Sequence, residues 1–299
     1  MINFLLAALT IFAIIIIGIL PFAILYLFSD LMYFFLYKVF GYRRQVIEGN
    51  LKLAFPKISK KEMSEMLKKV YKNLTDILVE GIKSFTMTSR QIVKRHRVTN
   101  LEILDKYRNE KKSIIAVPAH YANFEWGSLS ASLQTGYNVI AFYKPLGNPW
   151  VDKFLRWSRS RYGTSLISIF ETSKAFEKYK DTPTIYLMAA DQSPSKKESG
   201  KAHWVDFLGL KTAFLHGPEK HAINNDLDVI YVDIQRVKRG YYELELSVLA
   251  KNVTTLPEGE ITRRYAKKLE SIILKNPSNW LWSHRRWKLG IGEKLEGKR

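Results

Sequence analysis

Ser113 to Gly127 reads SIIAVPAHYANFEWG. Its first half is a continuous β-branched and apolar run closed by Pro118, the form of a short strand buried on both faces, and its second half takes up a helical texture from Phe124. In open α/β sheets the edge where a strand hands over to a helix is where ligands bind. His120 stands at this handover and Glu125 follows five residues later. On a continuous helix five residues turn by about 500°, which points the two side chains to different faces, so the pair can act together only if His120 lies in the loop or at the N-cap. There the helix amides disfavour an imidazolium and keep His120 neutral, as a general base requires, while Glu125 fixes the ring tautomer and stabilises the cation formed during reaction. On spacing alone, a hydrogen-bonded core histidine is an equal reading.

The texture of this stretch repeats downstream. Strand patterns are read at Asn138 to Tyr143 (NVIAFY), Ser165 to Ile169 (SLISI), Thr184 to Ala189 (TIYLMA), Asp228 to Asp233 (DVIYVD) and Tyr241 to Leu249, with helical patterns at Phe124 to Leu133, Trp150 to Ser160 and Glu260 to Lys275. Apolar strands alternating with helices predict an α/β fold, a sandwich with helices on both faces of the sheet. The sheet is expected to be mixed, because Tyr241 to Leu249 alternates polar and apolar and follows the Lys238-Arg239-Gly240 turn closely enough to close a hairpin.

Upstream the composition is different. No charged residue occurs from Met1 to Ser29, and Phe4 to Leu27 is apolar apart from Thr10, Gly18, Pro21 and Tyr26. About 20 such residues cross a hydrocarbon core of about 30 Å. The run lacks the basic start and small-residue cleavage site of a secretory signal, so it is read as a retained anchor, with Asp30 to Tyr42 (DLMYFFLYKVFGY) as an aromatic belt. The first cations, Lys38, Arg43 and Arg44, lie on its C-terminal side and place the remainder in the cytoplasm. A buried helix pair broken at Pro21 is the bland alternative. From Arg43 to about Arg108 the pattern is helical. Met63, Met66, Leu67, Val70, Tyr71, Leu74, Ile77, Leu78 and Ile82 form one buried stripe of a helical hairpin. The expected organisation is therefore 1–42 anchor, 43–108 helical subdomain and 109–299 α/β catalytic domain.

Across 299 residues, 47 Lys+Arg against 28 Asp+Glu leave a net charge of +19, and 46% hydrophobic residues are enough to build a core, so the charge lies at the surface. Nucleic acid, an anionic membrane surface or an acidic protein would each answer such a charge. The apolar N-terminus favours the membrane, and no zinc-finger, RNP-like or basic-zipper pattern supports nucleic acid. With no cysteine, thiol nucleophiles, cysteine zinc sites and iron–sulfur clusters are excluded. His216 and His221 are five apart around Gly217-Pro218, which is not a zinc-binding helical pair, and no metal is expected. No G-x-S-x-G elbow, P-loop or G-x-G-x-x-G is present, so no bound cofactor is expected either.

The H-x4-E box of AHYANFEW resembles that of the glycerolipid acyltransferase superfamily, in the form of its bacterial lipid A branch. Further similarities run in order through YKPLGNP (Tyr143 to Pro149), RSRYG (Arg159 to Gly163), AADQ (Ala189 to Gln192), VDFLG with Gly217-Pro218 behind it, and WLWSHRRWK (Trp280 to Lys288), preceded by a similar N-terminal LSDLMYFFLY…GYRR…NLKLAFP. The resemblance implies a late lipid A acyltransferase that moves a fatty acyl chain from an acyl carrier protein thioester, or acyl-CoA, to a hydroxyl of a glycolipid precursor at the bacterial inner membrane. It implies His120 as general base with Glu125 as its partner. It also assigns Lys144, Arg159, Arg161, Asp191, His284, Arg285 and Arg286 to oxyanion stabilisation or to binding substrate phosphate. A guanidinium at Arg159 or Arg161 suits either job. The apolar N-terminus and the basic SPSKKESGKAHW segment are longer than the family pattern. An aminolipid or lysophospholipid acceptor would keep the same box, although the phospholipid branch carries Asp where Glu125 stands. A non-catalytic lipid- or carrier-binding module is the alternative of another class, and it would not need both His120 and Glu125.

Overall fold

Two hydrophobic helices lead the chain in the computed structural model, which describes residues 2–290. Helix α1 (Ile2–Ile19) ends before Pro21, and α2 (Phe22–Tyr33) continues into a π-helical turn, Phe34–Val39. The single span expected over Phe4 to Leu27 is therefore two helices, because proline has no amide hydrogen to continue the ladder. Among the described residues, the stretch long and apolar enough to cross a bilayer is Phe22–Val39. Helices α3 (Arg44–Ala54) and α4 (Lys60–Ser84) form the expected hairpin, α4 opening on a capping box between Ser59 and Glu62.

The α/β portion runs α5 (Ser89–Arg95), β1 (His96–Val98), α6 (Asp105–Asn109), β2 (Ile114–Val117), α7 (Gly127–Thr135), β3 (Asn138–Tyr143), α8 (Pro149–Ser160), β4 (Thr164–Ser168), α9 (Thr172–Lys178) and β5 (Thr184–Leu187). It continues with β6 (His203–Phe207), β7 (Leu210–Phe214), α10 (Gly217–Asn224), β8 (Val229–Lys238), β9 (Tyr241–Ala250) and α11 (Glu260–Lys275). The main sheet has the order β1-β9-β8-β2-β5-β3-β4, parallel throughout except at β8–β9, so it is mixed as expected and for the expected reason: Gly240, at φ +73°, closes the β8–β9 hairpin. A separate β6–β7 hairpin, absent from the sequence reading, turns through Leu208 and Gly209, both at positive φ. Positive φ at both central residues is the backbone that a tight hairpin turn requires, and Leu at the first of them is a weak signal for it.

The stripe predicted for α4 holds only in its first half. Met63, Leu67, Val70 and Tyr71 are buried, but beyond them the buried face carries Thr75, Asp76, Val79, Glu80 and Lys83, while Leu78 is exposed. The polar residues are buried because α2 and the β8–β9 turn bring them partners. Ser29 donates to Asp76 at 2.6 Å, Arg236 and Arg239 pair with Asp76, and Arg239 also pairs with Asp30. Lys83 Nζ donates to the Gly18 and Leu20 carbonyls at 2.7 and 2.8 Å, capping the end of α1 where carbonyls lack partners. Among the described residues, the outer faces of α1 and α2 remain bare, with Leu9, Phe12 and Leu27 each about two-thirds exposed.

Candidate active site

Register explains how the site is assembled. Strands β2 and β5 are parallel neighbours with Ala116 opposite Leu187. His120 lies four residues beyond Ala116 and Asp191 four beyond Leu187, so both side chains emerge just past the same sheet edge. Asp191 Oδ1 stands 2.6 Å from His120 Nδ1, and its Oδ2 accepts the His120 amide at 3.0 Å and the Trp280 indole at 3.0 Å. A carboxylate only accepts, so Nδ1 carries the hydrogen and Nε2 is left to take a proton. Phe124 packs edge-on against the imidazole at 4.6 Å and fixes its plane.

This corrects the tautomer assignment: Asp191, not Glu125, holds the His120 ring. Glu125 forms an ion pair with Arg159 of α8 instead, both groups partly exposed. The expectation that helix amides keep His120 neutral is corrected as well. Burial opposes its protonation, but attraction to Asp191, the hydrogen bond between them and the nearby Glu125 charge outweigh it and raise the His120 pKa above the ordinary value. For Asp191, burial works the other way, yet the His120 charge and the bonds from His120 and Trp280 hold its pKa down at about 2.

The loop follows the sequence reading in keeping His120 out of a helix. Ala122 takes φ +50°, a turn that costs a non-glycine residue about 1 kcal/mol, and its amide donates to Asn279 at 2.9 Å while Leu281 donates to the His120 carbonyl at 3.1 Å. Asn123 then caps the short 3₁₀ turn Phe124–Trp126. Strand ends, loop and the Trp280–Trp282 segment are thereby locked together.

His120, Glu125, Lys144 and Arg159 line one cleft of about 780 Å³, with Gln192 beside them. The cleft continues along one sheet face, lined by alternate strand residues such as Ile114 and Ala116, Ile185 and Leu187, Val232 and Ile234, as the two-residue period of a strand dictates. Its opposite wall is α7, whose Gly127, Ser128, Ser130 and Ala131 are too small to fill the gap. From His120 beyond β2 to Ile114 at its start, the groove follows about 20 Å of extended chain, a reach suited to a fatty acyl chain.

The remaining predicted residues separate. Arg161 donates to the Ser84 carbonyl at 2.6 Å and packs on Trp157, so it caps the end of α4 away from Arg159. His284 accepts the Ser193 amide through Nε2 at 3.1 Å, and burial pushes its pKa down to about 4, so it braces the loop after Asp191 as a neutral ring. Arg285 is exposed. Arg286 is buried over the Phe214 ring, donates to the Ala213 carbonyl at 2.7 Å and has its pKa lowered to about 10 by burial. His96, which stands in the basic run Lys94-Arg95-His96-Arg97, is a core histidine, fully buried between Ser130 and the Asn123 carbonyl.

A histidine held by a buried carboxylate at the carboxyl edge of a mixed sheet and opening on a long apolar groove is the architecture of an α/β enzyme site. The family model described as bacterial lipid A biosynthesis acyltransferase matches residues 1–289, and the chain belongs to that family. It is 22% identical over 248 residues to a lipid A biosynthesis lauroyltransferase of Escherichia coli (strain K12), covering 82% of this chain and 79% of the relative. A lipid A biosynthesis acyltransferase of Haemophilus influenzae is 22% identical over 260 residues, covering 86% and 81% of the two chains. A lipid A biosynthesis palmitoleoyltransferase of Escherichia coli is 21% identical over 248 residues, covering 82% and 79%. The protein is an acyltransferase of lipid A biosynthesis.

Proposed function

We propose that the enzyme transfers a fatty acyl chain from an acyl carrier protein thioester to a hydroxyl of a lipid A precursor, with His120 as general base. The observation that supports this most directly is His120 held through Nδ1 by Asp191 at the mouth of the apolar groove. In this reading His120 Nε2 takes the hydroxyl proton as the oxygen attacks the thioester carbonyl. The tetrahedral oxyanion collapses, the carbon–sulfur bond breaks, and the thiolate leaves with the proton returned from the imidazolium. Asp191 stabilises that imidazolium. Glu125 orients Arg159 across the cleft, where the guanidinium meets the oxyanion or a phosphate of the acceptor, and Lys144 supplies a second cation. No step calls for an electron carrier or an electrophilic cofactor.

In this reading the enzyme sits on the inner membrane with its cationic remainder in the cytoplasm, where it steers an acidic carrier protein; the bare faces of α1 and α2 and the Lys38, Arg43 and Arg44 flank support it. The test is a lipid mass spectrum after incubating solubilised enzyme, and its His120→Ala variant, with acyl carrier thioesters of mixed length and an under-acylated lipid A precursor. A gain of one acyl chain with the native protein alone is expected. Gain only with a lyso- or aminolipid, or only from acyl-CoA, overturns the acceptor or the donor; equal gain with the variant overturns the base.

A further inference from the structure

Glu80 has no part in the reaction as described, yet it is fully buried and is the meeting point of three side-chain donors. Tyr26 of α2 donates to its Oε1 at 2.7 Å; Asn123 and Tyr242 donate to its Oε2 at 2.6 and 2.7 Å. The Trp126 indole donates to the Glu80 carbonyl at 3.0 Å. A buried carboxylate is unfavourable unless such donors surround it, and an apolar side chain would pack this position at no electrostatic cost. What the carboxylate adds is geometry.

That geometry points at the loop between His120 and Glu125. Asn123 has its amide nitrogen on Glu80, its Oδ1 on the Trp126 amide at 3.2 Å, and its carbonyl facing His96 Nε2 at 3.1 Å. The other His96 nitrogen meets Ser130 of α7 at 2.6 Å, and burial lowers the His96 pKa to about 3, so the ring is neutral, donating from Nε2 and accepting at Nδ1. On the opposite side, the Tyr26 hydroxyl is wedged against the β8–β9 turn, where a methyl group on Gly240 would lie 2.0 Å from it. One carboxylate thus joins the apolar N-terminal helix to the loop that carries the base.

We propose that Glu80 is a positioning residue for acyl transfer: through Asn123 it sets the His120–Glu125 loop, and through Tyr26 it makes that setting depend on α2 being seated on the domain. The assignment rests on His120 being the base. It makes α2 part of the active-site scaffold as well as an anchor, so that an enzyme whose α2 is displaced from the domain turns over slowly even with both substrates at hand.

The experiment compares full-length wild-type enzyme with Tyr26→Phe, Glu80→Gln and Ser29→Ala in detergent micelles, where delivery from a bilayer does not limit the rate. Ser29→Ala removes a hydrogen bond from the same α2–α4 seam but does not reach the loop. Expected are a three- to tenfold lower kcat for Tyr26→Phe and more than tenfold for Glu80→Gln, with both KM values within twofold. Ser29→Ala keeps the wild-type kcat. The imidazole ¹⁵N signals of histidine-labelled protein read the loop without turnover, and the His120 signal shifts in Tyr26→Phe but not in Ser29→Ala. Wild-type kcat in Tyr26→Phe, equal losses in Tyr26→Phe and Ser29→Ala, or an unshifted His120 signal each overturns the assignment, whether or not Glu80→Gln folds. A shifted His120 signal in Tyr26→Phe, together with no transfer by the wild-type enzyme, supports the positioning and counts against the reaction instead.

Discussion

At the scale of single residues, the His120–Asp191 contact decides how the site responds to pH. As the proposed base His120 must be neutral to act, and attraction to Asp191 holds its pKa above the ordinary value near 6.5, so kcat/KM should rise with pH through a midpoint above that value. Asp191→Asn removes the attraction. It should move the limb to lower pH and reduce kcat by about 10²- to 10⁴-fold, since the asparagine neither stabilises the imidazolium nor enforces the tautomer; a pH–rate profile of the two proteins checks both effects. Glu125→Gln, in contrast, removes only the smallest of these attractions, so it should lower the limb's midpoint less than Asp191→Asn does and act mainly through Arg159. The sequence reading found all three of His120, Glu125 and Asp191 but gave the ring to the carboxylate closest in sequence. The carboxylate that holds it is 71 residues away and is delivered by β2–β5 pairing, which periodicity does not encode.

At the scale of elements, α7 and the β8–β9 hairpin make separable predictions. The small residues of α7 leave the groove open, so Ala131→Leu should fill it and shift preference toward shorter acyl chains by about 1 kcal/mol per excluded methylene, read by competition among thioesters of mixed length. Gly240→Ala combines a left-handed backbone with a collision at the Tyr26 hydroxyl, and should lower stability by about 1–3 kcal/mol, measured by thermal unfolding. Strands β2, β3, β4, β5, β8 and β9 were legible because each is a short apolar or alternating run between turn residues. Three features were not, the first being β1, whose three residues His96–Val98 are too short to show a strand period. The β6–β7 turn hides behind Leu208, and the second half of α4 buries polar residues whose partners come from α2 and from the β8–β9 turn.

At the scale of the whole molecule, the bare apolar faces of α1 and α2 and the +19 charge act through different physics. Replacing Leu9, Phe12 and Ile16 by Ser should weaken partition into neutral vesicles by about 10²-fold or more and do so at any salt concentration, because each buried side chain is worth about 1.5–3 kcal/mol. Attraction to anionic vesicles or to an acidic carrier should fade as salt rises, because it is Coulombic; sedimentation of protein with vesicles of each kind separates the two. The amino-acid order determined the α/β class, the mixed sheet, the apolar N-terminus and the strand end that presents His120, because each follows from the period of apolar side chains or from a local turn. Tertiary structure alone decided that Asp191 holds the ring, that Glu125 turns to Arg159, that Arg161 and Arg286 serve the scaffold, and that Glu80 joins α2 to the loop after His120. Those are contacts between segments far apart in the chain, and a buried charge shows its partner only when the fold brings the two together.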